Sequence, residues 1–252
     1  MPLGFVPDVN PEQAHTIGVV VPAYREAGNL PQLVSQIRAA LPAAAIIVVD
    51  DSPDESTVRA LDGLDVTLVH RAAKAGRGSA VLDGVRRMLA APVEFVIEMD
   101  ADFSHPPSEL PALVDAARRE QLDLLIASRY VSGSRIENWP LTRRLFSRAA
   151  NRLARALLGI PVRDYTNGYR VYSRRAAQVI ADRCGTAGAG FIALSEVLVT
   201  VEACGFRIAE RKTTFVNRTR GESSVGPREL LGAATGLWKT ARLQRRLRAS
   251  KT

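Results

Sequence analysis

At 252 residues, 46% of them hydrophobic, the chain can bury one sizeable core, and we expect a large α/β domain with a C-terminal extension. A net charge of +8 and a pI near 10.1 favour an anionic partner: nucleic acid, an anionic membrane surface or a phosphorylated substrate. Cys184 and Cys204 make neither a disulfide framework nor a zinc pattern, the start of the chain has no export leader, and no apolar run is long enough to span a bilayer, so a reducing compartment and a protein without a membrane span are expected.

Residues 1–15 read as an irregular lead-in. Residues 16–22 predict a buried first strand stopped by Pro22. After a turn over 23–29, Leu30, Leu33, Val34 and Ile37 recur at helical spacing. A second strand over 46–49 ends at Asp50-Asp51-Ser52-Pro53-Asp54, where Pro53 suits the first turn of a helix. A third strand over 66–69, a helix over 76–89, a fourth strand over 95–99, a helix over 110–119 and a fifth strand over 123–127 follow. Strands alternating with helices predict βαβ units and a mostly parallel sheet with helices on both faces.

The fourth strand runs into Asp100-Ala101-Asp102. In an extended chain alternate side chains share a face, so two carboxylates one residue apart can hold a hard divalent ion, Mg²⁺ or Mn²⁺, completed by water and substrate phosphates. The competing reading makes Asp102 the cap of the helix that follows. Acidic and aromatic residues also follow other strands: Tyr24 and Glu26 after the first, Asp50 and Asp51 after the second. Open α/β sheets bind ligands beyond the carboxyl ends of their strands, so these loops are expected to converge on one crevice. Carboxylates there accept hydrogen bonds from a base or ribose, and Tyr24 offers a ring for stacking. A plain turn and cap is the alternative for Asp50-Asp51-Ser52.

The loop Lys74-Ala75-Gly76-Arg77-Gly78-Ser79-Ala80 fails the dinucleotide fingerprint because Val81 stands at the last glycine position, and no phosphate loop of the Gly-Lys-Ser/Thr type occurs. His15, His70 and His105 are too far apart to suggest a zinc site, and there is no Gly-x-Ser-x-Gly elbow. Catalysis by a histidine-activated nucleophile is not expected.

Five segments spread over residues 16–225 carry a family resemblance: Val20-Val21-Pro22-Ala23-Tyr24-Arg25-Glu26, Val48-Val49-Asp50-Asp51-Ser52, Met99-Asp100-Ala101-Asp102-Phe103-Ser104-His105-Pro106, Ser128-Arg129-Tyr130, and Phe215-Val216-Asn217-Arg218-Thr219-Arg220-Gly221-Glu222-Ser223. In order and spacing they resemble the family 2 glycosyltransferases, most closely the dolichol-phosphate mannose synthases and bacterial polyprenol-phosphate relatives. The resemblance implies a GT-A (nucleotide-diphospho-sugar transferase) domain over residues 16–225, with a nucleotide-sugar half over 16–128 and an acceptor half over 129–225. Its implied reaction moves a hexose, with inversion, from a sugar nucleotide such as GDP-mannose to a polyprenyl monophosphate, with Mg²⁺ or Mn²⁺. UDP-glucose or a similar donor is the alternative. By the same resemblance Pro22, Tyr24 and Glu26 surround the base or ribose, with Val49 and Asp51 on the base side. Asp100, Ala101 and Asp102 line the diphosphate, Asp100 and Asp102 as metal ligands. Arg129 and Arg143 face the acceptor phosphate and Arg218 the donor phosphates, with Asp102 and Arg129 central to catalysis. Arginine suits such roles because its planar fork pairs bidentately with phosphate.

Two departures from the family pattern stand out. Ser224 occupies the place where the family commonly has a lysine reaching phosphate, and the segment 190–196 lacks the usual Phe-x-x-Glu spacing. The implied chemistry explains the missing histidine: a phosphomonoester, with a second pKa of about 6, is already anionic near neutral pH and attacks without a general base.

Residues 139–159 alternate Leu141, Leu145, Phe146, Leu153 and Leu157 with Arg143, Arg144, Arg148, Arg152 and Arg155, and the tail over 226–252 is a second basic amphipathic candidate. Both suit helices lying on an anionic membrane, and the first also suits a helix packed on the domain. The expectation is a cytoplasmic protein held peripherally at the inner face of the membrane, with room for a membrane-anchoring subunit as partner. A phosphatase built on Asp100 and Asp102 is disfavoured by Phe103-Ser104 after the motif, and a nucleic-acid binder by an aromatic content of 6%.

Overall fold

In a computed structural model, which describes residues 16–185, 191–217 and 227–249, the first half of the chain alternates strand and helix as its pattern predicts. β1 (Ile17–Ala23) is buried along its whole length, as a central parallel strand covered on both faces must be. α1 (Leu30–Ala40) turns Leu30, Leu33, Val34 and Ile37 inward. β2 (Ala45–Asp50) follows, then α2 (Ser56–Leu61), which begins three residues after Pro53 rather than at it. β3 (Thr67–His70), α3 (Arg77–Met88), β4 (Phe95–Glu98), a single 3₁₀ turn (Pro107–Glu109), α4 (Leu110–Arg119) and β5 (Leu124–Ser128) complete this half. Then come β6 (Arg135–Glu137), α5 (Leu141–Leu158), β7 (Arg170–Ser173), α6 (Arg174–Arg183), α7 (Phe191–Ala203), β8 (Ile208–Lys212), β9 (Thr214–Val216) and α8 (Pro227–Ala249).

Seven strands form one sheet in the order β3-β2-β1-β4-β7-β5-β8, and β6 and β9 form a short parallel pair. All neighbours in the large sheet are parallel except β7, which runs antiparallel to both β4 and β5. Alternate residues of each strand serve opposite layers. Val20, Val49, Val96 and Ile126 pack with Val81 and Val85 of α3 and Ile180 of α6, while Val19, Val48, Ile97 and Leu125 pack with Leu33 of α1 and Leu113 of α4. The chain order reverses at β1: β2 and β3 lie on one side of it and β4 on the other. That switch point fixes where a crevice opens. Among the described residues no helix is long and apolar enough to cross a membrane. The lead-in 1–15 and the segments around Arg218 and Ser224 lie outside the described residues.

Candidate active site

A cleft of about 580 Å³ opens at this switch point, lined by Pro22, Tyr24 and Glu26 after β1, Asp51 after β2 and Asp100, Ala101 and Asp102 after β4. Arg129 and Arg143 line the same space. The loops therefore meet, although they lie up to 121 positions apart, from Pro22 to Arg143. Two expected members do not line it. Val49 is fully buried in the core layer under α3, so its side chain meets α3 and not the cleft. Asp50 is also fully buried, accepting from the Ser52 main-chain N–H and hydroxyl and pairing with His70 Nδ1 at 2.8 Å. Its turn reading is the one the geometry supports.

The Asp-x-Asp segment is not the extended strand end expected. β4 stops at Glu98, so both carboxylates lie beyond the strand, and Asp102 sits in a turn followed by Phe103 at φ 57°. Asp102 Oδ1 accepts from the Ser104 N–H at 3.0 Å, two residues on, and the 3₁₀ turn that precedes α4 has Pro106 at its cap. Asp102 thus stabilises its own turn and caps no helix. Asp100, one third exposed, is held by Arg77 Nε at 2.7 Å, and Arg77 Nη1 reaches buried Glu98 at 2.6 Å. Burial opposes the charge on Arg77, and the two carboxylates more than offset it, raising its pKa. A Cβ at Gly168 would fall 1.9 Å from Arg77 Nη2, so this guanidinium needs a glycine beside it.

The loop before α3, read as glycines without a fingerprint, delivers Lys74, Gly76 and Arg77 to the cleft. Lys74 Nζ lies 3.6 Å from the centroid of the Tyr24 ring, so one face of that ring carries a cation. Asp51 Oδ2 accepts from the Ala75 and Gly76 N–H groups at 3.1 and 2.9 Å, and Oδ1 from Arg71 Nε at 2.5 Å. Burial pushes the Asp51 carboxyl up, but these donors prevail and hold it below the usual carboxylate range. Gly76, at φ 89°, takes the left-handed turn that starts α3.

Arg129 is not a loose cation. Asp164 accepts from its Nε at 2.8 Å and its Nη2 at 2.7 Å, and Thr166 Oγ1 from Nη2 at 2.7 Å. Burial raises the Asp164 carboxyl, yet the Arg129 charge and hydrogen bonds lower it below its ordinary value. Rings of Trp139 and Phe215 each lie 5.4 Å from the Arg129 guanidinium carbon. Arg143 stacks 4.5 Å over Trp139 and donates to Asn217 Oδ1 at 3.0 Å. Behind them His105 is buried between Asn167 at 2.8 Å and Thr213 at 3.2 Å. Burial first, and then the neighbouring Arg129 charge, push its pKa down to about 4 against the Asn167 hydrogen bond, so it is a neutral positioning group.

Sequence reasoning missed Lys74, Arg77, Trp139, Asp164, Thr166 and Asn167. The available signal was Thr166-Asn167-Gly168, a turn cluster in a region with no hydrophobic period. Among the described residues no group of three His, Cys, Asp or Glu could hold a metal, leaving two carboxylates and substrate oxygens as the donor set for a hard ion.

A mostly parallel α/β sheet with acidic loops converging at its switch point is the architecture of the GT-A class. A family model described as Glycosyl transferase family 2 matches residues 18–180, and the chain belongs to that family and is a glycosyltransferase. It is 37% identical over 213 residues to the polyprenol monophosphomannose synthase of Mycolicibacterium smegmatis, covering 82% of this chain and 80% of that protein. It is 36% identical over 212 residues to the undecaprenyl-phosphate mannosyltransferase of Micrococcus luteus, covering 82% and 86%. Among solved structures, glucosyl-3-phosphoglycerate synthase from Mycobacterium tuberculosis, in complex with Mn²⁺, UDP and glucosyl-3-phosphoglycerate, superposes with a TM-score of 0.63 at 22% identity, covering 96% of this chain and 86% of that one. At that identity the likeness concerns the fold.

Proposed function

We propose that this chain transfers mannose from GDP-mannose to a polyprenyl monophosphate, with inversion at the anomeric carbon, using Mg²⁺ or Mn²⁺. One observation carries the reading: the same cleft joins acidic loop ends suited to a sugar nucleotide with arginines and aromatic rings beside a helix that leaves several large apolar side chains exposed. Phe146 both lines that cleft and is 45% exposed. The names of the two curated relatives point the same way.

In this reading Pro22, Tyr24, Glu26 and Asp51, with the main chain of Val49, hold the nucleoside. Asp100 and Asp102 would hold the divalent ion, which when bound neutralises charge on the departing nucleoside diphosphate. Arg77 keeps Asp100 turned toward the cleft, Lys74 adds a cation beside Tyr24, and Arg218 contacts the donor phosphates. Arg129, fixed by Asp164 and Thr166, leaves Nη1 for the acceptor phosphate, and Arg143 on its Trp139 platform is the second donor. Fixed donors of this kind align two anionic reactants that otherwise repel. The exposed leucines of α5 and the basic residues of α8 support a peripheral position at the cytoplasmic face of the membrane, with or without an anchoring subunit.

The test is a donor panel, with each metal, against a short polyprenyl phosphate. Transfer from GDP-mannose is expected; transfer from a UDP-sugar alone replaces the donor, and no transfer from any donor ends the reading. Asp102→Asn is expected to reduce metal-dependent transfer by about 100-fold or more, since the ion supplies several kcal/mol, while leaving the melting temperature unchanged.

A further inference from the structure

A second cavity, of about 450 Å³, lies against another face of α5, and Arg129 lines both. Arg148, Arg152, Arg155 and Arg163 surround it with Tyr130 and Ser134, and no carboxylate is among its lining residues. Positions 148, 152 and 155 share one helix face, whereas 143, 147, 150 and 154 line the transfer cleft. The carboxylates nearest in the chain are already engaged: Asp164 holds Arg129, and the two oxygens of Glu210 accept from the Arg163 and Asp164 N–H groups at 2.8 and 2.9 Å. Among the described residues Arg148, Arg152 and Arg155 form no ion pair. Like charges one turn apart oppose helix formation, so the basin holds repulsion that no ion pair among the described residues offsets. Guanidinium forks converging on a concave space relieve it by taking a phosphate.

The source of that phosphate follows from what lies between the two cavities. Helical spacing puts Leu145 and Leu153, which are 56% and 54% exposed, on the strip of α5 that separates the basin from the cleft. An apolar strip edged by arginines matches the boundary between acyl chains and headgroups. We propose that the basin is a second phosphate-binding site, which takes the headgroup of an anionic phospholipid beside α5. It is separate from the acceptor phosphate site and does not depend on which sugar or acceptor the cleft uses.

The experiment compares the full chain with Arg152→Gln/Arg155→Gln and with the charge-matched control Arg59→Gln/Arg119→Gln on α2 and α4, whose side chains are also exposed. Binding is measured to inorganic phosphate and to phosphatidylcholine vesicles with and without phosphatidylglycerol. The basin pair is expected to weaken binding to phosphatidylglycerol vesicles at least about tenfold more than the control pair, because diffuse attraction counts each arginine alike. Activity on a short, water-soluble acceptor should not change. Loss of phosphate binding alone, with vesicle binding intact, overturns the lipid assignment in favour of a soluble phosphate. Equal losses in the two pairs overturn the site altogether, and neither result touches the transfer reading.

Discussion

Arg77 joins a carboxylate that faces the cleft to one that does not: Asp100 is one third exposed and Glu98 is 1% exposed. Removing the guanidinium leaves Glu98 buried with the Tyr172 hydroxyl at 2.7 Å as its remaining partner. Arg77→Met is therefore expected to cost roughly 3–5 kcal/mol in urea unfolding, and adding Glu98→Gln should recover most of it; if the double variant is no better than the single, the charge pair is not the cause. His105 sets a pH dependence. Its folded pKa, about 4, lies below the ordinary 6.5, so between those values the unfolded chain binds more protons. Stability is complete above pH 6.5 and falls as pH drops toward 4, by about 2 kcal/mol at pH 5. Unfolding free energies at pH 7 and pH 5 should show this loss in the natural chain and a smaller one in His105→Gln. Tyr24, Asp51 and Asp102 could be read from the sequence because each follows a strand with a clear apolar run. Asp164 and Lys74 could not, because their meaning comes from Arg129 and Tyr24, 35 and 50 positions away.

At the scale of elements, the helix that presents Arg77 is seated by glycine. A Cβ on Gly84 of α3 would lie 2.3 Å from Val20 Cγ1 on β1 and 3.2 Å from Val49 Cγ2 on β2. Alanine gains about 1 kcal/mol of helix propensity over glycine, but Val20 is β-branched in a central strand and cannot turn away. Overpacking costs roughly 1–3 kcal/mol; the clash is expected to win, so that Gly84→Ala unfolds at lower urea and lowers donor affinity by shifting Arg77. A stabilised variant would mean that α3 floats freely on the sheet. The elements that sequence reasoning found were those with continuous apolar runs. β7, Arg170-Val171-Tyr172-Ser173, was missed because a charged residue opens it, and that arginine is fully buried with its charge shared among the carbonyls of Asn167, Leu194 and Tyr165. β8, Ile-Ala-Glu-Arg-Lys, reads as polar because it is an edge strand with only partial burial. Neither shows the period that marks a half-buried strand.

For the whole molecule the question is what covers α5. Leu141, Leu145, Phe146, Leu153 and Leu157 are all at least 45% exposed on one helix, more exposed apolar surface than a solvated helix usually carries. The amphipathic pattern was legible, but not whether its apolar side packs inward; the structure answers this by burying Asn151, Ala154 and Leu158 instead. The Arg basin responds to anionic lipid, whereas an apolar strip responds to any acyl surface, so the two are separable by vesicle composition. Burying a leucine stabilises by about 1.5–3 kcal/mol, and two half-exposed ones, by the same scale, by about 2 kcal/mol together. Leu145→Gln/Leu153→Gln should then weaken flotation with pure phosphatidylcholine vesicles by about tenfold or more, at unchanged melting temperature because neither side chain supports the core. Activity on a water-soluble acceptor should persist while activity on a long-chain acceptor in vesicles falls. Flotation that is indifferent to the leucines would assign the strip to a protein partner instead of the bilayer.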